Sequence, residues 1–138
     1  MPLIRSGTLE DLPTVVDLWE RAGGPTRLPG MIPEATRLLA RDPEALIVAV
    51  VDDRVVGTLI VGWDGWRCHM YRLAVEPDLR RRGIARAMIE EARTRAVALG
   101  AIRLDAVVDL GNPLGIALWE AAGFAHEPHN GRFVRVVA

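Results

Sequence analysis

The chain has 138 residues, half of them hydrophobic and a quarter charged, with a net charge of -1 at pH 7. That balance describes one globular domain over 1–138 rather than a disordered chain, and it gives nucleic acid no global attraction. Cys68 is the only cysteine, which excludes an internal disulfide and a cysteine-based zinc cluster. The longest apolar runs, such as Leu46 to Val51, stop at charges within a few residues, so no membrane-spanning segment is expected. The N-terminal Met1-Pro2-Leu3-Ile4-Arg5 lacks a basic region followed by an apolar core, and a cytoplasmic location is expected.

In chain order, Leu3 to Arg5 reads as a first strand, and Thr8 with Asp11 forms a near capping box for an amphipathic helix reaching about Arg21. The Gly/Pro-rich residues 23–30 then break all regularity, and Pro33 opens a short helix ending near Arg41. Leu46 to Val51, the turn Asp52-Asp53-Arg54 and Val55 to Trp63 form a hairpin. Asp64-Gly65 turns the chain again into a strand from Trp66 to Val75. A helix follows from Gly83 to Leu99, with Ala85, Met88, Ala92, Ala96 and Leu99 along one face and Gly100 as its stop. Ile102 to Val108 is the next strand, Asn112 or Pro113 opens the last helix, and Asn130-Gly131 joins two closing strands.

This order predicts an α/β (α+β) fold: a mixed, mainly antiparallel sheet with helices on both faces. It contains one parallel pair, because the strand before Gly83 and the strand after Gly100 are joined by a right-handed βαβ crossover.

The stretch from Leu73 to Ala85 carries the most chemistry. A helix start leaves backbone N–H groups unpaired and carries the positive end of the helix dipole. Gly83 keeps approach to that end open and small Ala85 keeps it close, while Arg80, Arg81 and Arg82 add forked donors suited to phosphate oxygens. Basic character is therefore local, at Arg80 to Arg82 and Arg86. All 17 basic residues are arginine, for which a codon bias towards GC-rich DNA is the simplest account.

The segment Arg80-Arg81-Arg82-Gly83-Ile84-Ala85, directly after a strand containing Tyr71-Arg72-Leu73-Ala74-Val75, resembles the pyrophosphate-binding turn of the GCN5-related N-acetyltransferases (GNAT family). Asn112, Ala117, Leu118-Trp119 and Gly123-Phe124, spaced N-x4-A-L-W-x3-G-F, resemble that family's later helix, whose aromatic is usually tyrosine. The resemblance covers nearly the whole chain. It implies that acetyl-CoA is the co-substrate, that no metal is needed, and that an acetyl group passes directly from the thioester to a primary amine on a small molecule or peptide. It also implies that the backbone at Leu73, Ala74 and Val75 pairs with pantetheine, that Arg80 to Arg86 hold the pyrophosphate, and that Asn112 hydrogen-bonds the cofactor, where a plain helix N-cap is the other reading. It leaves a homodimer open.

The chemistry needs a neutral amine and a proton for the departing thiolate. Many family members carry a glutamate where this chain has Tyr71, and a tyrosine acid where it has Trp119. Indole N–H donates a hydrogen bond but is no acid near neutral pH, so Trp119 is expected to position the thioester. Tyr71 is the best replacement proton carrier. Strand alternation would put His69, Tyr71, Leu73 and Val75 on one face, making His69 a secondary candidate base. Glu76 is expected to border the turn, and Asp105 and Asp109 to share one face of the following strand. His126 and His129 read as surface residues. In the family, acceptor choice comes from segments matching 22–32, with Leu28 and Met31, and Trp63 to Cys68; their low acid content suits an apolar or flat acceptor or a peptide N-terminus. A catalytically silent acetyl-CoA-binding module is the alternative, motivated by the missing glutamate and tyrosine.

Overall fold

The computed structural model describes residues 1–22 and 31–137. The acceptor-loop expectation at Leu28 lies outside the described residues, whereas Met31 lies within them. The chain divides into two compact units, Met1–Val107 and Val108–Ala138, each taken by itself below.

In the first unit, β1 (Leu3–Ser6), β2 (Leu46–Val51), β3 (Arg54–Trp63), β4 (Cys68–Val75) and β5 (Leu104–Ala106) form one sheet in the order β1-β2-β3-β4-β5. The first three pairings are antiparallel, and β4 pairs with β5 in parallel. The β2–β3 turn is made by Asp52 and Asp53, both at positive φ (50° and 61°), as a two-residue hairpin of right-handed strands demands. Asp64 makes the second turn, its carboxylate accepting from the N–H groups of Trp66 and Arg67.

Helix α1 (Leu12–Ala22) is entered through a 3-10 turn, Leu9–Asp11. Thr8 N–H donates to the Asp11 carboxylate at 2.8 Å, and the Arg5 fork donates to the same carboxylate at 2.7 and 3.1 Å, which fixes the helix start against β1. Leu12, Val15, Val16, Leu18 and Trp19 are buried at helical spacing. With α2 (Met31–Arg41) they cover the sheet face that carries Leu46, Val48, Ile60 and Ala74, the three larger side chains each contributing roughly 2 kcal/mol on burial.

Helix α3 (Ile84–Leu99) covers the other face, where Gly57 permits close approach. A Cβ on Gly57 would lie 2.9 Å from Met88 Cε and 3.2 Å from Ile84 Cγ2. The buried face is Ile84, Met88, Ile89, Ala92 and Ala96, which keeps Met88, Ala92 and Ala96 of the expected stripe; of its two ends, Ala85 is half-buried and Leu99 is exposed beside the stop at Gly100.

Two expectations fail. The strand expected over Ile102 to Val108 shrinks to Leu104–Ala106, because β4 leaves the ladder just beyond Met70. No closing strand follows Phe124 among the described residues. Phe133, Val134, Val136 and Val137 are exposed there, and a lone hairpin without a third strand is marginal in water. The second unit instead holds α4 (Pro113–Ala121) and the turn that stops it at Gly123, φ 94°.

Candidate active site

The turn between β4 and α3 has the form of an anion cradle. After a 3-10 turn at Pro77–Leu79, Arg81 and Gly83 both take positive φ, 65° and 80°. Such alternation turns successive N–H groups to one side. No side chain caps α3, and Ala87 N–H donates to the Gly83 carbonyl, so the amides of Ile84, Ala85 and Arg86 precede the first turn of the ladder. A Cβ on Gly83 would meet nothing within 4 Å. Arg80, Arg81, Arg82 and Arg86 are exposed around this opening, Ala85 is half-buried, and Ile84 anchors the helix in the core.

Strand β4 is irregular shortly before the end that leads to this cradle. Thr58 pairs with Ala74 and Ile60 with Tyr71, so Leu59 alone faces Arg72 and Leu73. This bulge has Arg72 at φ 57°, a left-handed conformation that costs a non-glycine residue about 1–2 kcal/mol. A buried relay holds it: Trp19 Nε1–H donates to Thr58 Oγ1 (2.8 Å), and Thr58 Oγ1–H donates to the Arg72 carbonyl (3.1 Å). The guanidinium of Arg72 lies 5.5 Å from the centre of the Trp19 ring, in cation–π contact.

The bulge overturns the expected alternation. His69 and Tyr71 do share a face, opposite Gly62 and Ile60, but Val75 pairs with Gly57 on the α3 face. Arg72 joins Tyr71 on the α1–α2 side, and Leu73 takes up the extra position of the bulge, half-buried. Among the described residues, β4 is paired on its β5 side from Cys68 to Met70 only, with a weaker contact from Val107 N–H to the Met70 carbonyl (3.4 Å). The stretch from Tyr71 to Val75 therefore offers an open backbone edge leading to the cradle.

His69 Nδ1 lies 2.6 Å from Oδ1 of Asp105, its partner across the β4–β5 pair. An ionised carboxylate only accepts, so Nδ1–H is the donor in this contact, and in the neutral ring the lone pair is then on Nε2. Both side chains are half-exposed. The Tyr71 ring leans along the strand towards this dyad: a Cβ on Gly62, opposite His69, would lie 3.9 Å from the Tyr71 hydroxyl and 3.8 Å from the His69 carbonyl oxygen. The expectation that Asp105 and Asp109 share one strand face fails, since Asp109 lies beyond β5 and accepts from Gly111 N–H.

Glu76 does more than border the turn. It is buried, its N–H donates to the Val56 carbonyl, and its carboxylate takes a two-pronged pair from Arg21 at 2.8 and 2.9 Å with Arg54 at 3.7 Å. The Arg21 hydrogen bonds hold the Glu76 carboxyl below its ordinary range. Nothing local in the sequence announces this pair, whose members are 55 positions apart.

A groove of about 740 Å³ opens between α2 and the β3–β4 face, with Trp19, Met31, Leu38 and Ile60 as apolar lining and Tyr71 and Arg72 at its strand wall. In the second unit, Trp119 is buried and packs edge-on against Phe124 with ring centroids 5.1 Å apart. Asn112 caps α4, its Oδ1 accepting from Gly115 N–H at 3.1 Å, which leaves its amide NH₂ as a donor. His126 and His129 are exposed. Among the described residues, no group of three or more His, Cys, Asp or Glu side chains could hold a metal, and no helix is long and apolar enough to cross a membrane.

The acetyltransferase (GNAT) family model matches residues 12–124. Acetyltransferase plu1384 of Photorhabdus laumondii subsp. laumondii is 37% identical over 119 residues, covering 85% of this chain and 82% of that one. Among solved structures, aminoglycoside 6'-N-acetyltransferase AAC(6')-IG of Acinetobacter haemolyticus matches with a TM-score of 0.78 at 17% identity over 99% of each chain. Ard1 of Thermoplasma volcanium matches at 0.81 and 18% over 90% of this chain and 82% of its own. A predicted acetyltransferase of Clostridium acetobutylicum, crystallised with acetyl-CoA, matches at 0.77 and 16% over 97% and 96%. At these identities the structures speak for the fold alone, while the family match and the bacterial relative carry the assignment: the chain belongs to the acetyltransferase (GNAT) family and is an N-acetyltransferase.

Proposed function

We propose that the protein transfers an acetyl group from acetyl-CoA directly to a primary amine, with the pyrophosphate on the cradle at Arg80 to Arg86. The observation that carries this reading is the uncapped α3 start, where Gly83 leaves open space, no side chain occupies the first amides, and exposed arginines flank the turn in sequence. The backbone of Leu73, Ala74 and Val75, on the unpaired edge of β4, would hydrogen-bond the pantetheine amides. Acetyl-CoA supplies an activated acyl carbon: the amine nitrogen bonds to it, the C–S bond breaks, the amine loses a proton and the thiolate gains one.

Within that reaction, His69 is the base for the amine, with Asp105 holding the ring so that Nε2 accepts the proton. Tyr71 is the proton carrier for the departing sulfur, as the hydroxyl at the strand wall of the groove. Trp119 packs beside the thioester and Asn112 donates its free amide to the cofactor; family spacing alone supports these two roles. The acceptor enters by the groove beside α2.

The test is a thiol-release assay with acetyl-CoA against a panel of amines and peptides. Amine-dependent release, with the acetylated amine found by mass spectrometry, is expected. Acetyl-CoA binding with no release by any amine would favour a silent binding module.

A further inference from the structure

The charges around the groove do not match its apolar floor. Arg37, Arg41 and Arg72 line it, against a single carboxylate, Glu34. Glu34 pairs with Arg37 at 3.9 Å. Among the described residues, neither Arg41 nor Arg72 has a carboxylate within ion-pair distance. Arg72 is also held in place, by the bulge and by the Trp19 ring under its guanidinium. A fixed planar fork with no internal anion suits an external carboxylate, which it can grip through two N–H donors. Strained backbone retained at a groove wall points the same way, since left-handed φ at an arginine persists only where the surroundings enforce it.

Resting on the transfer reaction proposed above, we infer that the acceptor is a small amino acid with an apolar body: its carboxylate is held by Arg72 and Arg41, its side chain lies on Trp19, Leu38 and Ile60, and its amine is left at Tyr71. A groove of about 740 Å³ has ample room for such a molecule. A polycation is disfavoured, because two unpaired guanidinium groups repel it. This separates the chain from the aminoglycoside acetyltransferases whose fold it shares.

Thiol release decides the matter with matched acceptors: L-leucine against isopentylamine, L-phenylalanine against phenethylamine and L-phenylalaninamide, and kanamycin. The amino acids should exceed their decarboxylated and amidated partners at least tenfold in kcat/KM, with kanamycin poorest. Arg72→Gln should remove that preference, Arg72→Lys should keep part of it, and both should bind acetyl-CoA as the wild type does. Arg41→Gln, on an exposed helix position, provides a second variant whose folding is not at stake; it should reduce the preference too. Release without preference for the carboxylate, or a preference that survives Arg72→Gln, overturns this inference and leaves the transferase reading intact. No release with any amine overturns both.

Discussion

Trp19 on α1 donates its indole N–H to the hydroxyl of Thr58 on β3 at 2.8 Å, and through that hydroxyl it reaches the carbonyl of Arg72 in the β4 bulge. Thr58 is fully buried and Trp19 nearly so. Thr58→Val keeps the shape but orphans the indole N–H and frees the Arg72 carbonyl. The expected cost is about 1–3 kcal/mol, seen as a Tm lower by a few degrees. The acceptor KM should rise while acetyl-CoA affinity holds, because the groove wall loosens and the cradle does not. Unchanged stability and kinetics would show that the bulge needs no such support.

Arg21 and Arg54 keep the Glu76 carboxyl below its ordinary range. A carboxylate with a depressed folded-state pKa adds stability that is present above its unfolded value and is lost as pH falls through the folded one. Glu76→Gln should therefore destabilise the protein near neutral pH and make the remaining stability fall less steeply below the ordinary glutamate range. Urea unfolding from pH 7 to pH 3 measures both effects. Parallel curves for the two proteins would exclude Glu76 from the acid-sensitive set.

The dyad assigns distinct losses to three residues. His69→Gln should lower kcat by roughly a hundredfold with little change in KM, while Asp105→Asn should lower it less, by loosening the ring. The Asp64 carboxylate is electrostatically coupled to His69 without bonding it, so Asp64→Asn serves as the electrostatic control. Tyr71→Phe should cut kcat tenfold or more with little change in KM, a barrier increase of about 1.4 kcal/mol or more. If His69→Gln is silent, the amine is deprotonated by solvent.

Trp119 is expected to tolerate tyrosine. Trp119→Tyr keeps an aromatic edge against Phe124 and adds a phenol, so turnover should hold or rise. Trp119→Ala removes a buried ring at a local cost of roughly 3–5 kcal/mol and should lower turnover. Steady-state kinetics and circular dichroism together distinguish the two losses.

The hairpin at Asp52-Asp53, the stop at Gly100 and the helix start at Gly83 were legible because each depends on local backbone geometry that a few residue types satisfy. The parallel β4–β5 pair was legible from the order of elements. What escaped depends on partners distant in sequence. The bulge at Arg72 arises where Thr58 and Trp19 converge, and it moved Val75 to the opposite face. Glu76 met Arg21 across 55 positions, and His69 met Asp105 across 36. The apolar residues Phe133, Val134, Val136 and Val137 after the Asn130-Gly131 turn read as strand, yet apolar character supplies only one side of a ladder.

The central claim, that the α3 cradle binds the pyrophosphate of acetyl-CoA, is tested most directly by calorimetric titration of acetyl-CoA into the wild type, Gly83→Ala and Gly83→Glu. Alanine adds a Cβ that meets nothing but must adopt φ 80°, so it isolates backbone strain; glutamate adds bulk and negative charge where the phosphates would lie. The account predicts micromolar-range binding by the wild type, modest weakening in Gly83→Ala and loss of at least a hundredfold in Gly83→Glu, with all three proteins folded by circular dichroism. Equal affinity in the wild type and a folded Gly83→Glu would contradict it.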